Sequence, residues 1–117
     1  MSHKNCVFCD IITGKIHAEK VAETPQLIVI KDTNPKAPTH LLIMPKKHIV
    51  TMADVANRDK DLAFAMFAIV EELAKNLDAP QAFNIISNNG AEAGQSVLHM
   101  HWHFISGKNI YLGDFKL

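Results

Sequence analysis

The run His99-Met100-His101-Trp102-His103-Phe104-Ile105 constrains this chain more than any other stretch. Successive side chains of an extended strand point to opposite faces, so three imidazoles share one face and Met100, Trp102 and Phe104 share the other. The apolar face needs a covering layer. Three imidazoles at period two are costly to bury unless each finds a partner, so their face needs polar company. The run predicts a strand, taken here as Val97 to Ile105, packed on one side and bearing chemistry on the other.

A helix over about Asp59 to Leu77 can supply the cover, because Leu62, Met66, Ile69, Leu73 and Leu77 recur every three or four residues. Asn57 reads as its N-cap, Asp59 and Asp61 suit the positive end of its dipole, and Pro80 prevents its continuation. Val21 to Glu23 and Leu27 to Lys31 read as strands of a hairpin bent at Thr24-Pro25-Gln26, and His40 to Met44 and Ala82 to Ser87 as further strands. Asp32 to Thr39 is loop, since Pro35 and Pro38 each lack a ladder donor, and Asn88 to Ser96 is a polar, Gly-containing loop. Cys6 to Thr13 fits a short turn of helix ended by Gly14. Strands on both sides of one long helix, some joined as hairpins, predict an α+β fold with a mainly antiparallel sheet of about five strands.

The 117 residues suit a single domain spanning 1–117, and 48% hydrophobic with 21% charged residues is an ordinary globular composition. Twelve Lys+Arg against twelve Asp+Glu gives no net charge, so no nucleic acid polymer is expected as a partner. No apolar run approaches the roughly 20 residues of a membrane span, and Met1 to Asn5 leads into no signal-peptide core, so the expected location is cytoplasmic, away from membranes.

The three imidazoles admit two readings. His-x-His can give two ligands of an open zinc site that activates water. Alternatively, one imidazole is a nucleophile that its neighbours orient while a leaving group is protonated. Cys6-Val7-Phe8-Cys9 is open in the same way: in a reducing compartment it is a metal clip or a redox pair.

The alternation His-φ-His-φ-His-φ-φ, with φ apolar, resembles the signature of the histidine triad (HIT) nucleotide-binding proteins. Asp32 followed by Asn34-Pro35-Lys36-Ala37-Pro38-Thr39-His40, then Leu-Leu-Ile-Met-Pro45-Lys46-Lys47-His48, is similar to the N-terminal half of the small dimeric nucleoside phosphoramidases in that family. Asn88 with Gly94-Gln95-Ser96 resembles their phosphate-side loop, and the likeness covers about residues 6 to 107.

This resemblance implies cleavage of a purine nucleoside 5'-phosphoramidate, or a related AMP conjugate, at the α-phosphorus through a nucleotidyl-histidine intermediate. His101 would be the nucleophile, His103 would hold the α-phosphate, and Ser96 with the Gly94-Gln95 backbone would face the phosphate and leaving group. His40 would partner the triad, Asp32 would accept the ribose hydroxyls with Asn88 as a further polar contact, and Ile30 and Ile43 would wall the base. Zinc-bearing members pair Cys-x-x-Cys with the His of Pro-x-x-His and the first triad His, here Cys6, Cys9, His48 and His99. That full Cys2His2 set implies a structural zinc with no position open to water, which argues against a three-His metallohydrolase. No organic cofactor is implied, and a homodimer is.

Two departures stand out. The phosphoramidase branch often carries a C-terminal aromatic that reaches the partner's site, whereas Lys108 to Leu117 offers Tyr111 and Phe115. Trp102 is larger than the aliphatic residue usual at its position. Two other classes of function compete: a nucleotide-binding regulatory module with little turnover, and a zinc-dependent interaction domain built on Cys6 and Cys9.

Overall fold

Leu27 to Ile30 is apolar at four consecutive positions, a run that a strand can bury only if both its faces are covered. The computed structural model, which describes residues 5–55 and 59–117, covers both. Strands β1 (Lys20–Glu23), β2 (Leu27–Lys31), β3 (Thr39–Pro45), β4 (Phe83–Ile86) and β5 (Trp102–Ser106) form one sheet in the order β1-β2-β3-β5-β4. Every pairing is antiparallel. Leu27 and Val29 of β2, Leu41 and Ile43 of β3, and Trp102 and Phe104 of β5 pack against Leu62, Met66, Ile69 and Leu73 of helix α2 (Lys60–Lys75). The alternate residues, Ile28, Ile30, Leu42 and Met44, pack against Cys6, Phe8, Cys9 and Ile11 of the short helix α1 (Val7–Ile12) and its cap. The fold is the expected α+β class, with the sheet between two helical layers.

The ends of the elements show which local signals governed. Asn57, expected to cap α2, lies outside the described residues; the cap is Asp59, whose carboxylate accepts the Leu62 N–H at 2.9 Å. Helix α2 stops at Lys75, before Pro80 can act, and the Gln81 amide donates to the Lys75 and Leu77 carbonyls at 3.2 and 3.1 Å. Those bonds satisfy carbonyls that a helix end leaves open. Gly14 adopts φ +87° just past α1 and donates its N–H to the Ile11 carbonyl at 3.1 Å, as the sequence suggests.

One strand begins later than expected. Pairing along β5 starts at Trp102, because its partner Ile43 lies two residues before Pro45, which has no N–H for a further rung. Residues 97–101 leave the ladder, and the Met100 N–H goes to the Ile49 carbonyl at 2.6 Å. The alternation survives: Met100 joins the cluster under α2, while His99 and His101 stay on the other side. No helix among the described residues is long and apolar enough to cross a membrane.

Candidate functional site

All three triad imidazoles and His40 are buried, so each ring must satisfy its nitrogens from within the protein. His101 Nδ1 lies 2.8 Å from the His99 carbonyl. A carbonyl only accepts, so Nδ1 carries the proton and Nε2 keeps its lone pair. The Ser87 hydroxyl donates to the His101 carbonyl at 3.0 Å and ties this stretch to the end of β4.

A second chain of bonds fixes the neighbouring rings. The Lys36 amide donates to His40 Nδ1 at 3.0 Å, which leaves the His40 proton on Nε2. That Nε2–H reaches His103 Nδ1 at 2.9 Å, with Asp32 Oδ2 at 3.3 Å as a further acceptor. His103 therefore accepts at Nδ1 and carries its own proton on Nε2. Residue by residue, the bonds prescribe a bare Nε2 on His101 and an Nε2–H on His103, with ring centroids 5.1 Å apart. One can attack and the other can donate.

Electrostatics agree with this assignment. Burial lowers the His101 and His40 pKa values, against the raising influence of the Asp32 charge. Burial, with repulsion from positive charge on His101 and His40, lowers His103 from an ordinary 6.5 to about 4. All three rings are neutral at pH 7. Asp32, His40 and His103 also lie close enough together to hold a metal ion. However, ligation through His40 Nε2 would require a proton on Nδ1, where the Lys36 amide already donates. The cluster is a hydrogen-bonded relay.

The Cys6, Cys9, His48 and His99 ligand atoms lie within 4.8 Å of one another. His99 Nδ1 is 3.5 Å from Cys6 Sγ and 3.6 Å from Cys9 Sγ, and His48 Nδ1 is 3.2 Å from Cys9 Sγ. Tetrahedral zinc with ordinary bond lengths puts sulfur and nitrogen ligands about 3.5 Å apart, so the set fits the ion. His99 Nε2 donates to the Pro45 carbonyl at 2.8 Å, which aims the Nδ1 lone pair at the two sulfurs.

The loop ahead of the triad departs from expectation in one respect. The Gly94 N–H is bonded to the Ala91 carbonyl at 3.0 Å and the Gln95 N–H to the Gly90 carbonyl at 3.1 Å, closing a 3-10 turn over Ala91–Ala93. Those two amides are bonded within the loop and do not stand open to a phosphate in this structure. Gln95 is buried, and its side chain points into the protein. Ser96 follows as an exposed residue whose amide and hydroxyl have no partner among the described residues. Gly94 holds φ +95°, which favours glycine, and a Cβ there would stand in ordinary contact with the Asn88 side-chain amide at 3.7 Å.

Of the two residues expected to wall the base, Ile30 lies on the histidine side of the sheet and Ile43 does not. Ile43 alternates with Leu42 along β3 and is sealed under α2, so it cannot touch a ligand beside His101; Leu42 faces the proper way. Phe8 is the residue that sequence reasoning missed. Its ring meets His101 edge-on, with centroids 4.9 Å apart at 83°, and excludes water from that flank of the imidazole. Its place between Cys6 and Cys9 was the available signal, because any fold that brings those cysteines to His99 brings Phe8 to His101.

The HIT domain family matches residues 13–110. An uncharacterised HIT-like protein of Chlamydia trachomatis serovar D is 42% identical over 101 residues, covering 86% of this chain and 91% of that one. Among solved structures, a HIT family hydrolase from Legionella pneumophila Philadelphia 1 superposes with a TM-score of 0.83 at 37% identity, over 91% of this chain and 96% of that one. A Zn-bound histidine triad family protein from Mycobacterium smegmatis superposes with a TM-score of 0.77 at 31% identity, over 94% and 78% of the two chains.

Proposed function

Since this chain belongs to the HIT domain family, we propose that it is a hydrolase or transferase, built as one domain, that cleaves purine nucleoside 5'-phosphoramidates or related AMP conjugates at the α-phosphorus. The observation that carries the reading is the 2.8 Å contact between His101 Nδ1 and the His99 carbonyl, which fixes the tautomer. The His101 Nδ1–H is held by that carbonyl, and its Nε2 lone pair is free of any proton.

In this reading His101 Nε2 attacks the α-phosphorus, a new N–P bond forms, and the bond to the leaving amine breaks. The amine departs with the bonding electrons and takes a proton from the hydroxyl of Ser96, an exposed residue of the loop ahead of the triad. The imidazolium so formed keeps its Nδ1–H on the His99 carbonyl, which offsets the new positive charge. His103 donates its Nε2–H to a phosphoryl oxygen, and the Lys36 amide, acting through His40, keeps that proton in place. Water then attacks the phosphorus, AMP leaves His101, and the proton lost by water restores Ser96. Asp32 and Asn88 serve the ribose, and Ile30 with Phe8 forms the apolar side of the base site.

Cys6, Cys9, His48 and His99 would hold a zinc ion whose contribution is structural, fastening α1 to the segment that bears His101. Two copies would pair through the open edge of β4 and the outer face of α2, in the cytoplasm. Release of AMP from adenosine 5'-phosphoramidate tests the reading. The wild type should turn over, and His101→Ala should lose roughly 10³-fold or more of kcat/KM. Full turnover by the variant would overturn the mechanism, and AMP binding without turnover by the wild type would make the protein a nucleotide-binding module.

A further inference from the structure

Three consecutive residues each make a long-range connection. His48 Nδ1 meets Cys9 Sγ at 3.2 Å, the Ile49 carbonyl takes the Met100 N–H at 2.6 Å, and the Val50 carbonyl takes the Gln95 Nε2–H at 2.7 Å. The last bond is one half of a clamp, because Gln95 Oε1 accepts the Gly90 N–H, also at 2.7 Å. Gln95 is only 4% exposed. A side-chain amide that deep must use both of its ends, and here both are used on backbone.

Gly90 at φ +96° and Gly94 at φ +95° hold conformations that L side chains rarely adopt, one on each side of the 3-10 turn. Such a turn has little rigidity of its own. It is anchored to the 50–52 stretch by Gln95 on Val50 and by Asn89, whose Oδ1 accepts the Met52 N–H at 2.8 Å. The asparagine is exposed, whereas the glutamine sits directly before Ser96, a loop residue with open donors.

We propose that Gln95 is a positioning residue that acts through Ser96. Its amide, clamped between Gly90 and Val50, sets the Ser96 N–H and hydroxyl in the frame of the segment that also carries Met100 and so His101. The phosphate end of the ligand depends on this clamp; the nucleoside end, at Asp32 and Ile30, does not. The inference rests on the reading of the site as a nucleotide phosphate site.

The test compares AMP with adenosine on the full-length protein. Gln95→Ala removes the clamp, and Gln95→Met removes it while keeping the chain length, which guards against loss of the fold. In either variant AMP affinity should fall about tenfold or more, since polar bonds to a charged group depend on placement, while adenosine affinity stays within about twofold. With adenosine 5'-phosphoramidate, kcat should fall about 10²-fold. A purely structural role would move the melting temperature and change both ligands alike. A wild type that prefers AMP, with variants that keep the preference, would overturn the role of Gln95 alone. A wild type with no preference for AMP over adenosine would overturn the phosphate reading of the site and this inference with it.

Discussion

At the scale of single residues, the site is decided by which backbone groups face each imidazole. The His99 carbonyl and the Lys36 amide are of opposite polarity, and they give His101 and His40 opposite tautomers. His103 inherits its tautomer from His40, and it must remain neutral to keep the His40 bond. This has a measurable consequence for stability. His103 falls from an ordinary 6.5 to about 4 on folding, so between those values the unfolded chain binds more protons than the folded one. Its contribution is therefore complete above pH 6.5 and is lost as pH falls toward about 4, on the order of 3 kcal/mol across that window. Urea unfolding near pH 7.5 and near pH 4.5 should show a larger loss of stability for wild type than for His103→Gln. An equal loss in the two proteins would mean that His103 is not held neutral by the fold.

At the scale of elements, α1 has six residues and cannot persist alone. Phe8, Cys9 and Ile11 bury it against β2 and β3, and the cysteine and histidine cluster ties it to residues 48 and 99. Removing zinc from the loaded protein with a chelator should lower the melting temperature by roughly 5–10 °C and speed amide exchange in Val7–Ile12 before the sheet. Unchanged α1 exchange after measured loss of the ion would separate the ion from the helix. These elements were legible where side-chain pattern decides them. The stripe of α2 and the two-faced triad strand follow from periodicity, and the hairpin bend at Thr24 follows from its turn residues. What escaped depended on partners distant in sequence. The start of β5 is set by Pro45, the end of α2 is met by Gln81, and the amides of Gly94 and Gln95 are spent on a turn that composition does not announce. Ile43 and Leu42 are equally apolar, and only the register of β3 tells which one meets a ligand.

At the scale of the whole molecule, the two edges of the sheet are treated differently. Edge strand β1 carries Lys20 and Glu23, and Glu23 pairs with Lys20 at 3.2 Å and with Lys46 at 2.7 Å, a charged border that discourages further pairing. Edge strand β4 is Phe-Asn-Ile-Ile, with no charge to protect it. Phe83 stacks on Phe104 with centroids 4.9 Å apart, and Phe67 of α2 meets Trp102 edge-on at 5.4 Å, so the apolar border runs from the strand to the helix. On the outer face of α2, Phe64 is 75% exposed and Phe67 69% exposed. A two-fold contact would bury Phe67 with Phe83 and Ile85 and pair β4 with its own copy, joining two five-stranded sheets into one. We expect the wild type to sediment as a dimer at concentrations of tens of micromolar. Phe67→Glu should weaken association by about 30-fold or more, because it places a desolvated charge at the centre of the contact. Ile85→Lys would do the same from the strand side. A wild type that sediments as a monomer at about 50 μM, or a Phe67→Glu protein that stays dimeric, would show that this border is covered in some other way.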